Sequence, residues 1–292
     1  MTTLDPRIHA FRPDLADERL KGLVTAERFI PGDFSHVHLD RVPLFLEPSF
    51  DAELQTEALT GEGVRIFEIH DGWAWGQLVT DGYVGYIPLE GLSPGYMEAT
   101  HKVSALRTFI YTEADLKSPP VDLISMMGQL WVSGETKEFY ELSTGGYVFK
   151  GHVAPIEADE PDFVEVASRF LGTPYLWGGR TSLGIDCSAL VQVSLMSSGV
   201  VCRRDSYLQQ ASLGEELTDT TDISQLQRGD FVFWKGHIGI MLDGATLLHA
   251  NAHHMQVASE PLGGAIDRIR GNGSGEITAL RRLPKGTKGE VF

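Results

Sequence analysis

Cys187 stands where a loop gives way to a helix, and two histidines with strand-like surroundings follow it. The approach is rich in turn residues (Gly172, Pro174, Gly178, Gly179 and Gly184). Beyond the cysteine, Leu190, Val191, Val193, Leu195 and Met196 recur at helical spacing. At a helix N-terminus the unpaired N–H groups and the positive end of the dipole favour a thiolate over a thiol. A partly exposed cysteine there is a candidate nucleophile. The competing reading is a small buried hydrophobe, the usual fate of a lone cysteine, and that reading is taken for Cys202.

A thiol nucleophile needs a histidine to exchange protons with and a polar group to orient that histidine. His237 opens a strand after Trp234-Lys235-Gly236, and His249 lies on the next strand, with Asp243-Gly244-Ala245 turning the chain between them. Register decides whether they meet. A two-residue turn pairing Leu242 with Ala245 puts the two imidazoles on opposite faces. A three-residue loop pairing Leu242 with Thr246 puts His237, Gly239 and His249 on one face, with His237 the diagonal neighbour of His249. The second register is the expectation, and the small Gly239 leaves room between the rings. For either histidine alone, a satisfied half-buried side chain is the bland alternative. His253 and His254 are adjacent, so at most one faces the same site, and both read as loop or supporting residues.

The elements that must position these residues form an α+β arrangement: a capped helix from Asp162 to Gly172, the cysteine helix ending at Ser198-Gly199, then strands over 230–234, 237–242, 246–250 and 277–280. Upstream, residues 1–34 read as a mostly helical lead-in, with Asp14 to Gly22 as a helix. From 35 to 97 short runs alternate with turns: Val42–Leu46, Glu62–Ile69, Trp73–Leu78 and Tyr83–Ile87, with Asp71-Gly72 and Asp81-Gly82 as hairpin signals. This pattern resembles the bacterial SH3-like domain. Residues 98–155 read as a degenerate second copy, with strands over 105–111, 128–132, 139–142 and 146–149, and Ser143–Gly146 in the place of Asp81-Gly82. Pro155–Pro161 is a polar, proline-bounded linker, and the domain carrying Cys187 is set at 156–292. The fold class is multidomain: two small all-β SH3-like barrels followed by an α+β domain.

Within 160–292, Pro174-Tyr175 with Trp177-Gly178-Gly179-Arg180, Asp186-Cys187-Ser188, Arg228-Gly229-Asp230 running into Phe231–Trp234, His237-Ile238-Gly239-Ile240 and Leu248-His249-Ala250 resemble the NlpC/p60 family of papain-like cysteine peptidases. With SH3-like repeats in front, the chain is similar to the γ-D-glutamyl-L-diamino-acid endopeptidases that process cell-wall peptides. The resemblance implies Cys187 as nucleophile, His237 as general base and acid, His249 as the orienting member, and Tyr175 with the Cys187 N–H as oxyanion donors. It implies that Asp186, beside Ser188, holds the substrate's free amine, with Ser206 a further pocket residue. It also assigns Tyr83 to closing the amine pocket, with Glu47 as an acidic partner; ordinary barrel packing competes for Tyr83, and a plain helix cap for Asp186. The implied substrate is L-Ala-γ-D-Glu followed by a diamino acid. Ala189 stands where the family commonly has glycine.

Composition bounds the alternatives. A formal charge of −16 argues against nucleic acid or anionic membrane as a partner. No run of about 18 apolar residues suggests a membrane span, and the N-terminus has neither a basic nor an apolar leader region. Two cysteines make no disulfide framework. The expectation is a cytoplasmic enzyme, monomeric or weakly oligomeric, with no cofactor and no metal. The rivals are a zinc hydrolase using Cys187, His237 and His249, which lacks CxxC or HExxH spacing; a non-catalytic SH3-like binding module; and an amidase or acyltransferase of the same fold.

Overall fold

Turn chemistry organises the first half of the chain in the computed structural model, which describes residues 4–95, 98–273 and 275–292. Two units separate, residues 1–157 and 158–292. The sequence boundary drawn at residue 97 lies outside the described residues.

In the first unit, β1 (Leu15–Asp17) and β2 (Arg28–Ile30) pair in parallel, joined through one 3-10 turn over Glu18–Leu20. The expected helix over 14–22 does not form, although Gly22 takes the positive φ (+87°) of a stop signal. The segment is too short to sustain a helix without a packed stripe. Leu15 is instead committed to a cluster with Ala10, Phe67 and Trp75.

The next strands are β3 (Asp33–Val37), β4 (Arg41–Phe45), β5 (Leu54–Leu59), β6 (Gly63–His70), β7 (Trp73–Leu78), β8 (Val84–Pro88) and β9 (Leu92–Pro94). Asp71 and Gly72 both have positive φ (47° and 81°), as a two-residue primed turn requires, and the hairpin pairs His70 with Trp73. The sheet runs β5-β4-β8-β7-β6-β3-β9 around Val42, Leu44, Val64, Leu78, Tyr83 and Ile87.

Then come β10 (His101–Val103), β11 (Arg107–Tyr111), β12 (Pro120–Ser125), β13 (Gln129–Leu130), β14 (Val132–Glu135), β15 (Phe139–Leu142), β16 (Tyr147–Phe149) and β17 (Val153–Pro155). They form β12-β11-β16-β15-β14 and β13-β10-β17. Advancing each strand of the earlier sheet by one repeat reproduces this order, with β6 split into β13 and β14. The single 3-10 turns Leu89–Gly91 and Lys150–His152 occupy equivalent places.

The second unit opens with α1 (Phe163–Arg169), capped by Asp162, whose carboxylate accepts from the Val164 and Glu165 N–H groups. The short hairpin β18 (Arg180–Thr181) and β19 (Gly184–Ile185) leads into α2 (Cys187–Ser197), which ends at Ser198 with Gly199 at φ +79°. Residues 187–195 are all buried, so α2 is a core helix without a polar face. After β20 (Val200–Cys202), α3 (Ser206–Ser212) and β21 (Glu215–Glu216) come β22 (Phe231–Trp234), β23 (His237–Met241), β24 (Thr246–Asn251), β25 (Gln256–Pro261), α4 (Leu262–Gly271), β26 (Ala279–Arg282) and β27 (Gly289–Val291). The main sheet is antiparallel throughout, ordered β21-β26-β22-β23-β24-β25. The sequence reading had no element at α3, β25 or α4. Leu262, Ala265 and Ile269 of α4 pack with Trp234, Met241 and Leu247 of the sheet.

Candidate active site

Asp186 is the N-cap of α2, which makes Cys187 the first helical residue. The Asp186 Oδ1 accepts from the Ala189 N–H at 2.8 Å, Arg204 Nη1 at 2.9 Å and the Ser188 hydroxyl at 3.2 Å. Its Oδ2 accepts from Arg204 Nη2 at 2.6 Å and the Gly178 N–H at 2.9 Å. Arg204 Nη1 also donates to Ser188 Oγ at 2.8 Å. The guanidinium is 1% exposed. A carboxylate so held fixes the loop, the helix start and the segment before α3 in one geometry. Asp186 is thus a cap and an ion-pair partner.

The hairpin between β23 and β24 has the three-residue loop Asp243–Ala245. The Leu242 N–H donates to the Thr246 carbonyl, and Ile240 pairs with Leu248. Two contacts from Asp243 Oδ1 hold the loop: it accepts from the Ala245 and Thr246 N–H groups at 2.8 and 2.7 Å. His237 and His249 consequently share a face, and His237 Nε2 lies 2.8 Å from His249 Nδ1. A Cβ on Gly239 would stand 2.7 Å from Leu247 Cδ1 and 3.2 Å from His249 Cβ, so only glycine keeps this spacing.

His249 is fully buried, and its Nε2 lies 2.8 Å from Glu260 Oε1, which also accepts from Arg268 of α4. The carboxylate is an acceptor, so Nε2 of His249 carries the proton and its Nδ1 is a lone pair. His237 must then donate through Nε2, which leaves its Nδ1 as the free base.

Burial, with Asp186 beside it, pushes the Cys187 thiol up to about 12, against the opposing pull of the Ile238 N–H, Arg204 and the Ser188 N–H. The favourable helix-terminal field anticipated from sequence is outweighed by desolvation. Burial, His249 and Arg268 lower His237 to about 3, with Asp186 and Glu260 opposing. Burial, Arg268, His254 and His253 lower His249 to about 3. Both shifts run in the direction of a neutral thiol beside a neutral imidazole. Ile238, whose N–H acts on Cys187, directly follows His237, so the strand that carries His237 also solvates the Cys187 sulfur.

Tyr175 is half-buried, and burial followed by the charges of Cys187 and Asp186 raises its hydroxyl above the ordinary phenol range. Its N–H donates to the Met255 carbonyl at 2.9 Å, tying the loop to the turn before β25. Ser206 is the first residue of α3, and that helix is tied to the site through Gln209, whose Nε2 donates to the Ser188 carbonyl at 3.0 Å. Ala189 is buried in the first turn of α2. In the first unit, Tyr83 is packed in the core of the seven-stranded sheet, where its hydroxyl accepts from Arg7 Nη1 at 2.9 Å. Glu47 is exposed in the turn after β4. Cys202 is buried in β20. The donor atoms of His249, His254 and Glu260 lie within 4.8 Å of one another, the only such set among the described residues. It lacks Cys187 and His237, and both nitrogens of His249 are already bonded to His237 and Glu260.

Sequence reasoning missed Arg204, Glu260 and Arg268. Glu260 had a usable signal: β25 pairs Leu247 with Glu260 and His249 with Ala258. Once that strand is recognised, the alternation puts the carboxylate on the histidine face.

A cysteine at a core-helix N-terminus, beside the strand that carries one of a hydrogen-bonded histidine pair, is the kind of arrangement a thiol hydrolase uses. Residues 172–271 match the NlpC/P60 family, and residues 44–92 match the bacterial dipeptidyl-peptidase SH3 domain. The chain thus carries an NlpC/P60 domain with a bacterial SH3 domain ahead of it, and is a cysteine peptidase. It is 26% identical to dipeptidyl-peptidase 6 of Lysinibacillus sphaericus, over 82% of this chain and 96% of that one. It is 23% identical to the γ-D-glutamyl-L-lysine dipeptidyl-peptidase of Bacillus subtilis, over 68% and 73%. An NlpC/P60 family protein of Bacillus cereus shares the fold, with a TM-score of 0.71 at 20% identity, over 86% of this chain and all of that one.

Proposed function

We propose that the chain hydrolyses the bond between γ-D-glutamate and a diamino acid in short cell-wall peptides with a free N-terminal L-alanine, releasing L-Ala-D-Glu. The observation that carries the chemistry is the hydrogen bond of His249 to His237, which sits on the strand whose Ile238 N–H faces Cys187. As Cys187 Sγ attacks the γ-carbonyl carbon, its proton passes to His237 Nδ1 and the S–C bond forms. The oxyanion is held by the Cys187 N–H and Tyr175, an arrangement worth about 100-fold or more per donor. Collapse breaks the C–N bond, and His237 gives its proton to the leaving amine. Water, deprotonated by His237, then cleaves the thioester and restores the thiol.

The relatives' names supply the substrate class. Asp186 and Ser188, buried beside the nucleophile, support recognition of the amino end there. Arg204 already engages both Asp186 oxygens, so the substrate ammonium shares that carboxylate with Arg204. Ser206 is a further recognition residue of this reading, to be tested through KM. A free-amine requirement would confine the enzyme to peptides already released from the wall, which fits a role in recycling such peptides in the cytoplasm. The matching strand orders of 33–94 and 101–155 support two SH3-like barrels, and the helix-then-antiparallel-sheet order of 158–292 supports a papain-like catalytic fold.

Mass spectrometry of products from L-Ala-γ-D-Glu-meso-diaminopimelate tests the reading. L-Ala-D-Glu and free diaminopimelate are expected, with none from Cys187→Ala. An intact γ-glutamyl bond overturns it. Full activity of Asp186→Ala on free-amine peptides would overturn the role of Asp186 alone.

A further inference from the structure

We propose that Glu260, held by Arg268, is a positioning residue for catalysis: it sets the tautomers of both histidines and balances the charge that forms on His237. The inference rests on Cys187 and His237 being the reacting pair. It comes from a continuous line of contacts, His237 Nε2 to His249 Nδ1 at 2.8 Å, His249 Nε2 to Glu260 Oε1 at 2.8 Å, and Glu260 Oε1 to Arg268.

Each imidazole has one proton in the resting state and two nitrogens to distribute it between. His249 is buried, so an unpartnered N–H there is costly. Glu260 can only accept, which forces His249 to Nε2–H and His237 to Nε2–H. That leaves the Nδ1 of His237 bare for the proton of Cys187. A donor in place of Glu260 would reverse the order and present an N–H to the thiol.

Charge is the second part. When His237 becomes imidazolium, with His253 and His254 close to His249, the nearby fixed charges are Asp186 with Arg204 on one side and Glu260 with Arg268 on the other. Both are matched pairs. Removing only the Glu260 charge leaves Arg268 opposing the imidazolium across His249. Removing Glu260 and Arg268 charges together leaves neither.

The two roles separate experimentally. Glu260→Gln keeps an acceptor oxygen and loses the charge: kcat is expected to fall about 10- to 30-fold with KM within about twofold. Its acid limb moves to lower pH, because the uncompensated Arg268 disfavours the imidazolium. Glu260→Gln with Arg268→Gln is expected to recover to within about fivefold of the parent. Nitrogen-15 spectra of substrate-free protein should show Nδ1 unprotonated on His237 and His249, and mixed tautomers in Glu260→Ala. Glu260→Gln within twofold of the parent, a double variant no better than the single one, or unchanged tautomers in Glu260→Ala each overturn the proposal. The tautomer spectra are read without substrate, so they stand or fall separately from the product assay.

Discussion

Cys187 is subject to opposed influences: burial and Asp186 favour the thiol, while the Ile238 and Ser188 N–H groups and Arg204 favour the thiolate. Because the first two prevail, iodoacetamide should label Cys187 at pH 7 more slowly than a free cysteine peptide, with the rate still rising above pH 9; a plateau between pH 4 and 8 would show a preformed ion pair instead. The histidines add a stability consequence. Both have folded-state values lowered to about 3 from 6.5, so their contribution is present above pH 6.5 and is lost as pH falls from there towards 3. Thermal melts should show a loss on the order of a few kcal/mol across that window, beyond that of a variant with both histidines replaced by asparagine. Arg204→Gln leaves Asp186 buried without its partner and should cost about 3–5 kcal/mol, readable in denaturant melts. The position of Cys187 at a helix start and the pairing of the two histidines were legible in the sequence, because each follows from local spacing. Arg204 and Arg268 were not, because a buried guanidinium is recognised only from the carboxylate that folding brings to it.

The hairpin of β23 and β24 is where element geometry becomes chemistry. Its three-residue loop was legible because that register, unlike a two-residue turn, gathers His237, Gly239 and His249 on one face, and Asp243 holds the loop by accepting from the Ala245 and Thr246 N–H groups. Deleting Ala245 leaves a two-residue turn and moves His249 to the opposite face; turnover should vanish with sheet content retained in circular dichroism. Gly239→Ala is the milder probe. Its methyl meets Leu247 and His249, which predicts about 1–3 kcal/mol of overpacking and a kcat loss of about tenfold with KM little changed. An unchanged kcat would show that the rings tolerate a shifted strand. β25 and α4 escaped the sequence reading for a physical reason: Gln256–Pro261 mixes polar and small residues, and α4 begins Leu262-Gly263-Gly264, a poor helix start. Packing of Leu262, Ala265 and Ile269 on the sheet, rather than propensity, makes α4 a helix.

At the scale of the whole chain, the strands of 33–94 and 101–155 follow one order, and that repeat was visible as recurring turn signals even where the second copy has lost its Asp-Gly pairs. The lead-in was misread because its residues serve the core around Phe67 and Trp75 rather than a helix of their own. Charge is the remaining global property. At −16 the protein repels anions at long range, with the effect screened over about 10 Å at 0.1 M salt. The peptide ending in diaminopimelate carries one net negative charge at pH 7, since its two ammonium groups face three carboxylates. The lysine analogue has one carboxylate fewer and is neutral overall. Raising salt from about 20 mM to 200 mM should therefore increase kcat/KM for the diaminopimelate peptide by about two- to threefold through faster encounter, while the lysine peptide changes little. The comparison uses one enzyme and one bond, so general salt effects on the fold cancel between substrates. A fall with salt for the diaminopimelate peptide would mean that a local cationic field at the site, with Arg204 its nearest buried source, outweighs the net charge of the molecule.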